Sequence, residues 1–201
     1  MWTCRSRPGV EITPGFALLM AGLFYLDEGA GLLPWALLAC AVHELGHLAA
    51  AAALGGRVER LGLSAVGAEL RFAYPGPLSC AEENLVLLAG PAANLLLAWP
   101  AFVLGAGVLA VSSIWIGAFN LLPIPPMDGG ALAENLLDSL GQPALAQGIL
   151  TAAGAVLAGA LAGVGAVAAV EYGNVTLLLT AVWLLWGLVR PRARRRAGER
   201  R

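Results

Sequence analysis

Charged side chains are scarce in this sequence of 201 residues, and lysine is absent altogether. Charged residues make up 12% and apolar residues 59% of the chain, and the mean hydropathy is +0.76. Soluble domains carry about 25% charged residues, so this composition excludes an ordinary soluble domain and predicts a membrane protein. The 12 arginines nearly balance the 13 acidic residues, and a net charge of −1 leaves no overall basic surface for nucleic acid.

Cysteine is also rare, since Cys4, Cys40 and Cys80 are an odd number at unrelated spacings. They predict neither a disulfide framework nor a thiolate zinc site. A cleaved secretion signal is not indicated either, because no small-residue cleavage site follows the apolar run from Phe16 to Leu26. We expect that run to be retained as a membrane span.

Long apolar runs predict about six membrane-spanning helices, since a span needs about 20 predominantly apolar residues. The predicted spans are Pro14–Leu26, Leu32–Leu54, Asn84–Leu109, Ser112–Ile124, Gln147–Val170 and Val175–Val189. The first and fourth are short, so we expect them to tilt or to thin the bilayer locally.

The arginines predict the orientation of these spans. With six spans and a cytoplasmic N-terminus, every arginine falls on the cytoplasmic side, whereas Asp27, Glu28 and Glu171 fall on the other side. The positive-inside rule therefore predicts an integral membrane protein, multi-pass in a bacterial cell membrane, with both termini in the cytoplasm. The basic tail 190–201, with seven arginines, is expected to anchor the last span by charge.

Two short segments outside the spans carry their own patterns. Arg57–Tyr74 alternates loosely between apolar and polar residues, which predicts a small β-hairpin at the membrane surface between the second and third spans. Residues 131–140 place leucines on one face and predict a short interfacial helix. The predicted fold is an all-α polytopic membrane protein with about six transmembrane helices and one hairpin.

Both histidines of the chain lie in the second span, in the sequence His43-Glu44-Leu45-Gly46-His47. Residues i and i+4 share a helix face, so both imidazoles can reach one metal ion, with Glu44 beside them. Catalytic zinc takes three protein ligands and keeps a position for water, whose pKa it lowers to about 7. The motif predicts a zinc site with Glu44 as general base; a buried polar network that only holds helices together is the alternative.

The depth of this motif predicts where water enters. If the second span ends at the cytoplasm near Leu54, His47 lies about 10 Å and His43 about 16 Å inside the membrane, at 1.5 Å per residue. We therefore expect a polar cavity that opens toward the cytoplasm. Cys40, three residues before His43, is interpreted as a small packing residue, with a ligand role as the alternative.

Zinc would need a third protein ligand, and without another histidine we expect a carboxylate. Candidates inside or next to a span are Asp27, Glu28, Glu82, Glu83, Asp128, Glu134 and Glu171. Asp128 follows three prolines within four positions and precedes two glycines, so a regular helix cannot continue into it. Irregular backbone at membrane depth is tolerated only where it is buried in protein or lines a wet cavity. We therefore predict Asp128 as the third zinc ligand.

The two motifs together, HELGH on one span and NLLPIPPMDGG on a later one, resemble the site-2 protease family, which are zinc metalloproteases that cut within or near the membrane. The sequence Gly90-Pro91-Ala92-Ala93-Asn94 on the third span is similar to the family's pattern there. The resemblance thus covers a core at residues 32–130 and implies one intramembrane metalloprotease domain over residues 1–201.

The resemblance implies a role for each matching residue. The zinc ligands would be His43, His47 and Asp128, and Glu44 would be the general base. Asn120 would orient the substrate or stabilise the developing oxyanion, with an interhelical hydrogen bond as the alternative. Asn94 is interpreted as structural, because asparagine in a membrane helix often bonds to a neighbouring helix.

The implied function is a zinc endopeptidase that cleaves a membrane-embedded or membrane-tethered regulatory protein, such as a sigma-factor precursor. The chain is most similar to the family's stage IV sporulation branch. The stretch 55–83 is too short for a PDZ domain, and the CBS domain of some sporulation members does not follow Val189, so a role in sporulation stays open.

Several alternatives and partners stay open. The same protease could act on an anti-sigma factor or a signal-peptide remnant, and other classes are an inactive substrate-binding protein or a metal transporter. Membrane regulatory partners and assembly of several copies are compatible with the sequence. Since a helical substrate hides its carbonyls, we expect an extended substrate segment to bind a strand edge of the predicted hairpin.

Overall fold

A computed structural model describes residues 9–27, 29–64, 67–124, 127–141, 143–173 and 175–189. In these ranges the elements are β1 (Gly9–Ile12), α1 (Pro14–Asp27), α2 (Leu33–Ala53), β2 (Arg57–Ser64), β3 (Gly67–Ala73), α3 (Cys80–Val103), α4 (Gly107–Asn120), α5 (Asp128–Ser139), α6 (Pro143–Tyr172) and α7 (Thr176–Val189). The predicted anchoring tail 190–201 lies outside the described residues.

Three helices of the described part are long and apolar enough to cross a membrane, and they are α2, α3 and residues Gln147–Glu171 of α6. Residues Pro14–Tyr25 and α4 are apolar but shorter. Large apolar side chains such as Leu96, Trp99 and Trp115 are mostly exposed on these helices. Such surfaces suit lipid rather than water, so the chain has the features of an integral membrane protein. The count of six spans stays a prediction.

The third predicted span is interrupted by a turn. Helix α3 ends at Val103 and α4 begins at Gly107, whereas the sequence predicted one span up to Leu109. Gly105 has a φ of 77°, and the amides of Gly105 and Ala106 donate to the carbonyls of Phe102 and Ala101 at 3.1 and 2.8 Å. This is the Schellman ending that glycine favours. The surrounding residues are apolar, so hydropathy alone did not reveal it.

The predicted hairpin is present, and a third strand that the sequence did not indicate extends it. Strand β2 pairs antiparallel with β3, and β1 pairs in parallel with the other edge of β2, with Gly9 opposite Arg60 and Ile12 opposite Leu63. Strand β1 has only four residues, too few to show alternation, and its partner lies about 50 residues away along the chain. Glu11 of β1 and Arg60 of β2 also form an ion pair between these strands.

Contacts divide the chain into two compact units, of which the first contains residues 1–78 and 89–117. It holds the sheet, α1, α2, most of α3 and most of α4. Its core consists of small and apolar residues on α2, α3 and α4, namely Ala39, Ala101, Leu109 and Ala110. Small residues let membrane helices approach closely, which is why alanine dominates here.

The second unit contains residues 79–88 and 118–201. Its core joins Ile124 and Met127 to Ala158 of α6 and Leu184 of α7. Met127 directly precedes α5, so this core fixes the position at which α5 begins. The predicted interfacial helix is therefore present, but it begins three residues earlier than expected, at Asp128.

Candidate metal centre

The two histidines of α2 face each other inside the first unit. His43 is 5% and His47 9% exposed, and their Nε2 atoms lie 3.1 Å apart. Zinc–nitrogen bonds of 2.0–2.1 Å at a tetrahedral angle place two nitrogens about 3.3 Å apart. The pair is therefore arranged as two neighbouring ligands of one zinc ion would be, as the spacing of four residues predicts.

Two glycines allow this arrangement, because each meets a neighbouring helix without a side chain. A Cβ at Gly90 of α3 would lie 2.3 Å from His47 Nε2, and one at Gly46 of α2 would lie 2.4 Å from the carbonyl oxygen of Ala89. Real Cβ atoms do not approach so closely, so a larger residue at Gly90 would displace the imidazole of His47. The glycine of the GPAAN sequence thus keeps space for Nε2 of His47.

Asn94 lies next to the other histidine. It is completely buried on α3, and its Nδ2 lies 3.4 Å from Nδ1 of His43. From the sequence alone, Asn94 is interpreted only as a structural residue. An amide inside a membrane helix does, however, indicate a polar partner on a neighbouring helix. Its contact with a predicted metal ligand was not visible in the sequence.

Asp128 is the first residue of α5 in the second unit and is half-buried. The chain turns sharply before it: the amide of Met127 donates to the carbonyl of Ile124 at 2.9 Å, and a Cβ at Gly129 would lie 2.2 Å from the carbonyl oxygen of Leu121. Only glycine fits so close to that backbone. The glycine after Asp128 is therefore required by the turn that sets where the carboxylate stands.

Among the described residues, one group of histidine and carboxylate side chains could hold a metal ion. Its candidate members are His43 and His47 in the first unit and Asp128 in the second. Two imidazoles and a carboxylate are a donor set that zinc accepts, with a position left for water. The roles of these three residues as zinc ligands stay a prediction.

Asp27, another carboxylate considered as a ligand, has a different role. Its Oδ1 accepts the amides of Leu32 and Leu33 at 2.9 and 3.1 Å, and its Oδ2 accepts the amide of Gly31 at 2.9 Å. Asp27 thus satisfies backbone donors at the beginning of α2.

Glu82 and Glu83 serve the beginning of α3. The Oε2 atom of Glu82 accepts the amide and the hydroxyl of Ser79, both at 2.7 Å, in the manner of a capping box. Oε2 of Glu83 accepts Nδ2 of Asn135 at 3.3 Å, a contact that ties α5 to α3 inside the second unit. Both glutamates therefore have structural partners near the beginning of α3.

The other candidates are not part of the His–His–Asp group. Glu134 lies on α5, Glu171 is exposed near the end of α6, and Cys40 is an exposed free thiol on α2. Glu28 lies outside the described residues.

Glu44 and Asn120 lie where the sequence placed them on their helices. Glu44 is half-buried on α2 directly after His43, and Asn120 is the half-buried last residue of α4. Both take part in interactions within the protein. Their chemical roles stay predictions.

Comparisons with known proteins confirm the resemblance to the site-2 proteases. The family model described as Peptidase family M50 matches residues 105–161, which include Asn120 and Asp128. The fold is that of the site-2 protease from Methanocaldococcus jannaschii, with a TM-score of 0.68 over 89% of this chain and 88% of that one, at 21% identity.

Two relatives are similar in sequence. Stage IV sporulation protein FB of Bacillus subtilis is 32% identical over 126 residues, which are 58% of this chain and 44% of the relative. A protein of Mesorhizobium japonicum, provisionally named a zinc metalloprotease, is 37% identical over 103 residues, which are 49% of this chain and 23% of the relative. The chain thus spans less than half the length of these relatives.

Proposed function

We propose that this protein is an intramembrane zinc endopeptidase that hydrolyses a peptide bond of a membrane-embedded or membrane-tethered regulatory protein. The observation that carries the proposal is the buried pair His43 and His47, whose Nε2 atoms face each other at 3.1 Å on an apolar helix, next to Glu44. Similarity to Peptidase family M50 and to a zinc metalloprotease supports it.

In this proposal the protein holds zinc through Nε2 of His43, Nε2 of His47 and a carboxylate oxygen of Asp128. The spacing of the two nitrogens and the charge of the carboxylate suit a divalent ion. When bound, zinc would polarise the scissile carbonyl and lower the pKa of water so that it can attack at neutral pH.

Glu44 acts in this proposal as the general base. Its carboxylate takes the proton of the attacking water and later delivers it to the leaving amine. Its place one residue after His43 turns it 100° around the helix, so it is beside the two imidazoles without replacing either of them. Asn120 is proposed to hydrogen-bond the substrate carbonyl oxygen as negative charge develops there.

The substrate is proposed to reach this centre from the cytoplasm as an extended segment. A helical substrate would hide its peptide groups in internal hydrogen bonds, whereas a strand edge presents a row of free backbone groups. In the described part of the chain β2 is covered on both sides by β1 and β3. Of the two hairpin strands, β3 is therefore the one whose outer edge can receive the substrate.

Proline substitutions in β3 test this docking edge. Adjacent residues of a strand point their N–H groups to opposite edges of that strand. Of the variants Glu69→Pro and Leu70→Pro, one therefore removes a donor from the outer edge of β3, and the other removes a donor from the pairing of β3 with β2. We expect both variants to slow the cleavage of a co-expressed substrate about tenfold or more. Glu11→Pro, in strand β1 at the opposite edge of the sheet, is the control, and we expect it to slow cleavage less. Unchanged rates and cleavage sites in both β3 variants would exclude this edge.

Metal removal tests the proposed activity itself. The full chain and epitope-tagged single-span membrane proteins with cytoplasmic regulatory domains are purified separately in detergent and then mixed, with or without a zinc chelator. We expect a substrate fragment that does not form in the presence of the chelator and forms again when zinc is restored, while Mg²⁺ does not restore cleavage. Formation of the fragment by fully chelated, zinc-free protein would contradict the proposal.

The finer substrate class is proposed from one relative. Similarity to a stage IV sporulation protein favours a precursor of a sporulation regulator, such as a sigma factor, as the substrate. Cleavage of an anti-sigma factor or of a signal-peptide remnant in the same assay would instead identify that protein as the substrate. Binding of a candidate without any fragment would instead indicate an inactive substrate-binding protein.

A further inference from the structure

Asn94 presents an unusual combination of burial and incomplete hydrogen bonding. Its side chain has 0% exposure, and its Nδ2 lies 3.4 Å from Nδ1 of His43. Its Oδ1 is buried too and has no hydrogen-bond partner among the described residues. A buried amide oxygen without a hydrogen-bond partner destabilises the folded protein.

The chemistry of the histidine ring indicates which group the amide oxygen of Asn94 can bind. Nε2 of His43 faces Nε2 of His47, so Nε2 is the nitrogen that would hold a metal ion. A neutral imidazole that binds metal through Nε2 carries its proton on Nδ1 and needs an acceptor there. The amide oxygen of Asn94 can accept that proton, whereas the amide NH₂ group cannot.

We infer that Asn94 is a positioning residue whose side-chain amide holds the ring of His43 in the tautomer that directs Nε2 to the metal. This inference rests on the metal centre of the proposed function. A half turn about the last side-chain torsion exchanges the amide oxygen and nitrogen, and it brings Oδ1 to Nδ1 without moving the backbone.

An asparagine side chain can hydrogen-bond His43 both without and with a bound metal ion. Without metal, Nδ2 of Asn94 donates to Nδ1 of His43, and Nε2–H of His43 can donate to His47. With metal, the proton is on Nδ1 and Oδ1 accepts it. Aspartate could serve the metal-bound state, and leucine, of similar size, could serve neither.

A neighbouring helix packs closely against the part of α3 that carries Asn94. A Cβ at Gly117 of α4 would lie 3.3 Å from Cβ of Asn94 and 3.2 Å from the carbonyl oxygen of Pro91. Helix α4 thus lies against the backbone turn that carries Asn94. The first unit alone provides all of these contacts.

Zinc affinity of the purified full chain in detergent, measured by competition with a zinc chelator, tests the inference. We expect Asn94→Leu to bind zinc about 10–100-fold more weakly, as loss of a hydrogen bond to a ligating histidine usually does. Asn94→Asp is expected to stay within about threefold of the unmodified protein, since a carboxylate also accepts the Nδ1 proton. Ser113→Ala is the matched control, because Ser113 is equally buried and its hydroxyl also has no partner among the described residues.

Nitrogen-15 NMR of histidine-labelled protein adds a readout that packing alone would not move. The chain has two histidines, so the spectrum contains four ring nitrogens. We expect the zinc-loaded protein to show a protonated, slowly exchanging Nδ1 on His43. In Asn94→Leu that proton should exchange faster, while Asn94→Asp and Ser113→Ala should keep it protected.

The outcomes separate this inference from the proposed function. Equal zinc affinity of Asn94→Leu and the unmodified protein would overturn the positioning role and leave the metal centre intact. Equally weak binding by Asn94→Asp and Asn94→Leu would also overturn it, because the loss would then reflect packing. Failure of the unmodified protein to bind zinc would overturn the metal centre and this inference with it.

Discussion

Replacement of Glu44 by glutamine is expected to leave zinc bound and to lower cleavage about 10²–10⁴-fold. Glutamine has the shape of glutamate but cannot take a proton from water at neutral pH. The ligating nitrogens of His43 and His47 stay where α2 places them, so metal binding should not change. Zinc content of the purified variant and the amount of substrate fragment in cells measure the two effects separately.

The control for this variant is Glu171→Gln, because Glu171 is exposed near the end of α6 and is not part of the metal-binding group. It should cleave at the rate of the unmodified protein. Cleavage by Glu44→Gln at more than about one tenth of that rate would show that Glu44 is not the general base.

Replacement of Asp128 by alanine is expected to remove the third ligand and with it most of the zinc. Two imidazoles alone leave the ion short of the three protein ligands of catalytic zinc sites, and a negative charge that partly balances Zn²⁺ is also lost. We expect at least about a hundredfold weaker zinc binding and no detectable cleavage. Metal analysis after dialysis against a chelator measures this directly.

A second variant separates ligand loss from damage to the helix. Alanine also removes an acid from the first turn of α5, where it stabilises the helix by about 0.3–1 kcal/mol. Asp128→Asn keeps the size of the side chain, and it should lose zinc as well because a neutral amide is a poor zinc ligand. Asp138→Ala, an exposed aspartate of the same helix, should keep zinc. Full zinc occupancy in both Asp128 variants would exclude this ligand.

The helix that carries both histidines could be predicted closely from the sequence. The second span, predicted as Leu32–Leu54, is α2 at Leu33–Ala53. The apolar pattern and the spacing of its histidines are local properties of a helix, so no other part of the chain needs to be known. The boundary between α3 and α4 was missed because Gly105 ends the helix through its backbone conformation rather than through polarity.

Contacts between distant segments could not be predicted in this way. Pairing of β1 with β2 joins residues about 50 positions apart, and nothing in four exposed residues specifies that partner. The approach of Gly90 to His47 also depends on how α3 lies against α2. The GPAAN sequence signalled close packing, but not which side chain would be packed against it.

The sequence by itself determined two properties of this protein. Its composition determined that this is a membrane protein, and the spacing of four residues determined that two imidazoles share one helix face, since neither depends on how distant segments pack. Only the tertiary structure decided which groups surround those imidazoles. It placed Asn94 next to Nδ1 of His43, and it placed Gly90, which has no side chain, against Nε2 of His47. The reason is physical: helix packing selects small residues where backbones must approach and polar residues where a buried donor needs a partner.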